Sequence, residues 1–380
     1  MNNIKVAIVH DWLTGMRGGE KCLEVFCELF PEAHLFTLLH AKGSVSPVIE
    51  NMQIHTSFLQ NMPGIAENYR NFLPLFPTAI ESFDLKEYDL VLSSSHCVAK
   101  GVRSREDALH ICYCYTPVRY AWMFFDEYFG SANIIKKWII SRTISSIRKW
   151  DLKSNKRVNC FVAISDNIRK RIKRLYDREA DVIYPPVDVD AHIVRSDSEN
   201  KYLIVSAPAP YKRVDLAIEA FNKSGKRLVV AGSGGDLKSL KKRSRENIEF
   251  LGWVDDAKLS ELYSSCQALV FPGEEDFGIV PVEAQAHGKP VIAYASGGVL
   301  ETVVPLSRSE ENPTGVFFNE QTPDALNGAI EEFEKSRAKF NADNIRKNTL
   351  RFNVDRFRQE IKEYVEEKYS EHHQKKTGSI

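Results

Sequence analysis

Two glutamates separated by seven residues, Glu275 and Glu283, stand where an apolar run, CQALVFP at 266–272, gives way to a stretch of helical character. Carboxylates accept hydrogen bonds, so a pair of them suits a ligand rich in hydroxyls. Pro281 fits the first turn of a helix, where its missing N–H has no intrahelical partner, and Gly288 fits the position after the helix, where φ turns positive. The segment Ile279 to His287 therefore reads as a short helix. A second apolar run, KPVIAYA at 289–295, follows at once. Strand, loop, helix and parallel strand place the loop at the carboxyl edge of a sheet, where ligands of α/β proteins bind. The backbone N–H groups of Phe277, Gly278 and Ile279 then lie at the positive end of a helix and suit a phosphate or an electron-rich sugar oxygen. A ligand that combines phosphate with many hydroxyls is a nucleotide sugar. By spacing alone, the same two residues also read as ordinary solvated glutamates.

Breaking the bond between a sugar and a nucleoside diphosphate builds negative charge on the phosphates, which a divalent metal or cationic side chains must neutralise. The chain has no Asp-x-Asp metal signature, so no metal and no cofactor besides the nucleotide sugar is expected. Lys212 and Arg213, in PYKRVD at 210–215, follow the apolar run KYLIVSA at the same kind of sheet edge. A cation at a helix start opposes the helix dipole, and an anionic ligand relieves that opposition; an exposed basic pair without a ligand is the other reading. Gly18 and Gly19 in DWLTGMRGG, and Gly297 and Gly298 in SGGVLE, permit close backbone approach to a ligand or make tight turns. Arg119, Tyr120 and Trp122 combine a cation with rings that stack on sugars, although core packing explains aromatic rings as well.

The elements that must position these groups alternate between apolar runs and amphipathic stretches. At 380 residues, with 43% hydrophobic and 27% charged residues and formal net charge +0, the chain fits two α/β, Rossmann-like domains and has no global field for nucleic acid. It opens with strand IKVAIVH, a glycine-bearing loop and a helix from Glu20 to about Leu29. That unit lacks G-x-G-x-x-G, which argues against a dinucleotide dehydrogenase. Runs at 88–95 and 108–117 read as buried strands. Tyr184-Pro185-Pro186 excludes helix and marks a hinge, so the domains are expected at 1–185 and 186–352, with a final helix and polar tail over 353–380. The start has no signal-peptide pattern, no run is long enough to span a bilayer, and seven cysteines without a C-x-x-C pair suggest reduced thiols; a cytoplasmic protein is expected. The stretch from Lys136 to Arg157 sets basic residues beside Trp138, Ile139, Ile140, Ile144, Ile147 and Trp150. It reads either as a face for peripheral membrane association or as an amphipathic helix packed on the sheet.

The stretch EEDFGIVPVEAQAHGKPVIA resembles the donor-binding segment of retaining glycosyltransferase family 4, whose members share the two-domain GT-B fold. HDWLTGMRGGEKCLEVFCELFP, CYCYTPVRYAWMFFDEYF and FVAISDNIRKRIKRLY with VIYPPVDVD resemble a subgroup of bacterial polysaccharide and lipopolysaccharide sugar transferases, often mannosyltransferases. The resemblance implies two Rossmann-like domains facing each other across a cleft, with the last helix crossing back onto the first. It implies that Glu275 lies near the donor sugar, that Glu283 grips the ribose hydroxyls and that Lys212 and Arg213 hold the diphosphate. Trp253, Val254 and Asp255 would hold the base, with a buried structural Trp253 the other reading, while Gly297 and Gly298 back the diphosphate. The acceptor, a glycan or lipid-linked glycan, falls to the first domain, with Tyr115, Arg119, Tyr120 and Trp122 its candidate contacts. Two positions depart from the pattern: Ala207 stands where many members have an Arg, and Tyr115 where many have a His. The expected reaction is metal-independent hexosyl transfer with retention, from GDP-mannose first and a UDP-sugar second. An epimerase or a non-catalytic sugar-nucleotide sensor are readings from other classes.

Overall fold

The computed structural model describes residues 4–122, 134–189, 199–207, 209–235, 237–309 and 311–377. The chain divides into two compact units, one made of residues up to Pro186 together with those from Val354 onward, the other of Val187–Asn353.

In the first unit the described strands form a seven-stranded sheet in the order β3-β2-β1-β4-β5-β6-β7, every pairing parallel. These are Val6–His10 (β1), His34–Thr37 (β2), Gln53–Thr56 (β3), Leu90–Ser95 (β4), Leu109–Cys114 (β5), Cys160–Ala163 (β6) and Ala180–Val182 (β7). Every residue of β1, β4 and β5 is buried, as apolar runs covered by helices on both faces must be. Strand order reverses between β1 and β4, so the loops after those two strands diverge and leave a crevice at their carboxyl ends. Helix α1, Gly18–Leu29, begins at that crevice.

The C-terminal helix Val354–Thr377 also belongs to this unit. Its apolar residues at helical spacing, Phe357, Ile361 and Val365, are buried. The Phe357 ring lies 5.8 Å from Phe26 and 5.5 Å from Tyr113, and Arg358 pairs with Glu28 at 2.7 Å. The return of the last helix to the first unit is thus held by core packing, with the ion pair at its margin.

In the second unit the strands Tyr202–Val205 (β8), Leu228–Ala231 (β9), Ile248–Gly252 (β10), Leu269–Phe271 (β11), Val291–Tyr294 (β12) and Gly315–Phe318 (β13) form a parallel sheet in the order β10-β9-β8-β11-β12-β13. Alternation along each strand splits the core in two. Tyr202, Ile204, Val230 and Val270 pack on one face, while Leu203, Val229, Leu269 and Phe271 pack on the other with Leu262, Tyr263 and Ala284. Here the order reverses between β8 and β11. The chain enters and leaves the unit side by side, since the Val187 N–H donates to the Phe352 carbonyl at 2.8 Å.

Candidate functional site

Two loops meet at the switch point of the second sheet. The loop after β8 carries a short turn of helix, Pro210–Lys212, and the loop after β11 carries Glu275. Lys212 Nζ lies 3.0 Å from Glu275 Oε1, beside a small hollow lined by Val205, Ser206, Lys212, Gly273 and Glu275. Close loop packing requires glycine at position 273, because a Cβ there would lie 2.6 Å from Lys212 Cα and from the Tyr211 carbonyl oxygen. Sequence reading assigned these two residues separately; the fold brings them into one ion pair. A cation at this point can take phosphate charge, and its carboxylate partner can turn to a hydroxyl.

Arg213 goes elsewhere. It has a left-handed backbone, φ 50°, and its guanidinium bonds Gln321 Oε1 at 3.0 Å and Asp215 at 3.4 Å. Gln321 in turn donates to the Pro272 carbonyl at 3.0 Å, so Arg213 braces the loop after β11 from outside.

The predicted helix runs Ile279–Ala286, with Gly278 at its N-terminus (φ 90°) and Gly288 just past its end (φ 71°). Glu283 lies one turn in, and its Oε2 accepts from the Tyr263 hydroxyl at 2.9 Å. Tyr263 is 1% exposed; burial first, and then the Glu283 charge, push its hydroxyl well above the ordinary range, so it stays a donor. Sequence reading missed this residue because it sits inside an amphipathic helix, Asp256–Ser265, with no motif of its own. The Phe277 ring is buried against Phe352, 5.4 Å between centroids, and serves as core.

Gly297 and Gly298 pack against the Glu275 loop. The Gly298 N–H donates to the Glu275 carbonyl at 2.8 Å, and a Cβ at either position would fall 2.3 Å from that loop, on Glu275 O or Phe277 Cα. Trp253 is 75% exposed, which removes the alternative of a buried structural Trp. Val254 packs on the core, and the Asp255 carboxylate caps the helix Asp256–Ser265 by accepting from Lys258 N at 2.8 Å.

The first unit holds its own polar cluster at the β1/β4 switch point. Gly18 and Gly19 open α1, and the Tyr115 hydroxyl donates to the Gly19 carbonyl at 2.9 Å while contacting Ser94 Oγ at 2.8 Å. Ser94 also meets His10 Nδ1 at 2.9 Å. Asp11, wholly buried, accepts from the N–H groups of His96, Cys97, Val98 and Ala99 within 2.9 Å. His10, Asp11, Glu20, Ser94 and His96 were not singled out from sequence; the signal was the polar end of an apolar strand, IVHD, next to a glycine turn.

Among the acceptor candidates, the side chains of Arg119 and Tyr120 lie outside the described residues. Trp122 gives its indole N–H to Asp151 Oδ2 at 2.6 Å. Asp151 is buried and also receives Tyr176 at 2.8 Å and the ammonium of buried Lys100. This aspartate belongs to the segment read as a membrane face. Within the helix Ile134–Ser154, Ile144 and Ile147 are each 3% exposed and lie in the core, and Trp150 packs on it with its N–H on Glu81 at 2.7 Å. Burial at about 1.5–3 kcal/mol for each such side chain commits them inward. Lys149 is exposed on the other side. The side chains of Lys136, Lys137, Trp138, Ile139 and Ile140 lie outside the described residues. No helix among the described residues is long and apolar enough to cross a membrane.

Two α/β units, each built on a parallel sheet with its own switch point, are the architecture of GT-B glycosyltransferases, and a solved structure bears this out. Anabaena Alr3699/HepE in complex with UDP superposes with a TM-score of 0.71 at 16% identity, over 96% of this chain and 100% of that one. Residues 189–351 match the family described as Glycosyl transferases group 1. Similar curated proteins include the O-antigen chain mannosyltransferase RfbU of Salmonella typhimurium, 28% identical over 51% of this chain and 59% of its own length. The alpha-1,3/1,6-mannosyltransferase ALG2 of Candida glabrata is 27% identical over 43% of this chain and 48% of its own. The chain thus covers less than two thirds of the length of either relative.

Proposed function

We propose that this protein transfers a hexose from a nucleotide sugar to a glycan acceptor, with mannose from GDP-mannose the first choice and surface polysaccharide the destination. The observation that carries the reading is the Lys212–Glu275 pair at the switch point of a group 1 glycosyltransferase domain. It supplies a cation for the leaving diphosphate and a carboxylate for sugar hydroxyls at the place where this sheet topology binds ligands. The mannosyl choice draws support from RfbU and ALG2, both described as mannosyltransferases. In this reading Glu283, oriented by Tyr263, holds the ribose, and the exposed Trp253 stands by the base. Departure of the diphosphate leaves an oxocarbenium-like centre, and the acceptor hydroxyl attacks from the same face, giving retention without a metal. A lipid-linked acceptor belongs to the same proposal.

HepE was solved with UDP, which favours a second reading with a UDP-sugar donor. A panel of GDP-mannose, UDP-glucose, UDP-galactose, UDP-N-acetylglucosamine and GDP-fucose separates the two, since a specific ligand raises the unfolding temperature by mass action. GDP-mannose should stabilise most and should be hydrolysed slowly with retention at the anomeric carbon. Preference for a UDP-sugar overturns the mannosyl choice. An epimerase would release an altered sugar nucleotide, and a sensor would bind donor without turnover.

A further inference from the structure

Strand β8 is apolar to its carboxyl end, where Ser206 follows Val205 at the switch point of the second sheet. The Ser206 backbone is held in place. Its N–H donates to the Ala231 carbonyl at 2.9 Å, and the loop after β9 packs so closely that a Cβ at Gly232, φ 131°, would fall 2.0 Å from the Ser206 carbonyl oxygen. The side chain is not committed in this way. Ser206 is 8% exposed, yet its Oγ has no hydrogen-bond partner among the described residues. A buried hydroxyl without a partner costs stability, and an alanine would avoid that cost in the free protein. Ser206 lines the same hollow as Lys212, Gly273 and Glu275. The hollow has a volume of about 10 Å³, room for about one water-sized group. A sugar ring or a base is far too large for it, whereas a single phosphate oxygen is the right size. Val205 and Phe271 add apolar wall, and a charge-assisted hydrogen bond gains strength in such surroundings.

We propose that Ser206 binds the donor directly, its hydroxyl donating to an oxygen of the sugar-side phosphate of a nucleoside diphosphate, beside the Lys212 ammonium. The inference rests on the nucleotide-sugar reading and adds to it a residue and a contact. Glu275 decides which phosphate is meant. Its carboxylate lies 3.0 Å from Lys212 Nζ and is the group placed to meet sugar hydroxyls, so the phosphate that reaches the hollow is the one bonded to the sugar. The nucleoside-side phosphate lies one P–O–P bridge farther off. Lys212 carries one positive charge and a diphosphate more than one negative charge, so donors besides Lys212 are needed. The neighbouring side chains do not supply them: Ala207 is apolar, and Arg213 is spent on Gln321 and Asp215. A hydroxyl that gives its proton to the departing phosphate holds it more tightly as negative charge builds there, so the contact favours transfer as well as binding.

Calorimetry with the full chain tests the contact, using whichever of GDP and UDP the parent binds more tightly together with the matching monophosphate. Ser206→Ala should weaken the diphosphate about tenfold, as expected for a lost hydrogen bond to a charged group, and leave the monophosphate unmoved. Thermal unfolding without ligand separates this from a structural role. The free variant should unfold at the temperature of the parent or above it, because the change removes a hydroxyl that has no partner within the protein. A lower unfolding temperature shows the hydroxyl to be structural and overturns the inference. Unchanged diphosphate affinity overturns it too, and so does an equal loss for both nucleotides, which would put Ser206 at the nucleoside-side phosphate. In each of these outcomes the parent still binds a nucleoside diphosphate, and the nucleotide-sugar reading stands. A parent that binds neither GDP nor UDP defeats that reading and this inference together.

Discussion

Lys212 Nζ and Glu275 Oε1, 3.0 Å apart, join the loops that follow β8 and β11. A diphosphate that takes the ammonium must loosen its hold on the carboxylate, which then turns to the sugar. Lys212→Ala should lower turnover on the order of 10²-fold, the usual effect of losing one electrostatic stabiliser of a leaving group. Glu275→Ala should lower turnover more than donor affinity. The side chains are only 19% and 24% exposed, but a single pair at a surface crevice is worth about 0–1 kcal/mol, so neither change should unfold the protein. Rate assays beside thermal unfolding check this; a large drop in unfolding temperature would make the pair structural.

Glu283 and Tyr263 form the second test. Glu283→Gln should weaken donor binding about tenfold or more, because a hydrogen bond to a charged group contributes about 1.5–3 kcal/mol. Tyr263→Phe should weaken it less, by freeing Glu283 to turn. The two changes share one contact at 2.9 Å, so the double variant should fall short of the summed effects. Calorimetry with donor measures all three; additive losses would show that Tyr263 does not orient Glu283.

Gly298→Ala puts a Cβ 2.3 Å from Phe277 Cα at a backbone conformation any residue adopts, whereas Gly297→Ala adds the strain of φ 77° to a 2.3 Å clash with the Glu275 carbonyl oxygen. Both should push the Glu275 loop away from the β12 loop and lower turnover. Gly297→Ala should also cost about 1–3 kcal/mol in stability for its backbone. Denaturant midpoints, read with activity, distinguish loop displacement from general loss of fold.

The buried His110 predicts a pH effect. Burial holds its imidazole down to about 3 from an ordinary 6.5, with Nε2 on Ser93 Oγ at 2.8 Å. A histidine whose folded value is depressed binds its proton first in the unfolded chain. Stability from this group is therefore complete above about pH 6.5 and is lost as pH falls from there toward 3, by about 1.4 kcal/mol per pH unit. Urea midpoints between pH 7 and 4 should fall in the parent and flatten in His110→Gln. A parent curve flat over that window would contradict it.

Lys100 and Asp151 supply a further test. Asp151→Ala leaves the wholly buried Lys100 without its anion and takes the partner from Trp122 and Tyr176, so destabilisation of about 3–5 kcal/mol is expected. Lys100→Met with Asp151→Leu should recover much of it. Equilibrium unfolding of the two variants decides between a buried ion pair that holds the fold and one the core can replace.

The sequence alone determined what is local or periodic in this protein. Apolar runs predicted β1, β4, β5, β8, β11 and β12, and Pro281 and Gly288 bounded the Glu283 helix, because each rests on backbone preference or side-chain repeat within a few residues. Only the tertiary structure decided which side chains meet. That Lys212 reaches Glu275 while Arg213 reaches Gln321 depends on β8 lying beside β11, an adjacency set by strand order rather than by any local signal. The same holds for Ile144 and Ile147. Their spacing defined one apolar face, and spacing carries no information on whether lipid or the protein's own core covers it; the core does. Trp253 and Tyr263 make the point in opposite directions, one aromatic ring left in solvent and the other buried with its hydroxyl on Glu283, since exposure is a property of what folds over a residue and not of the residue itself.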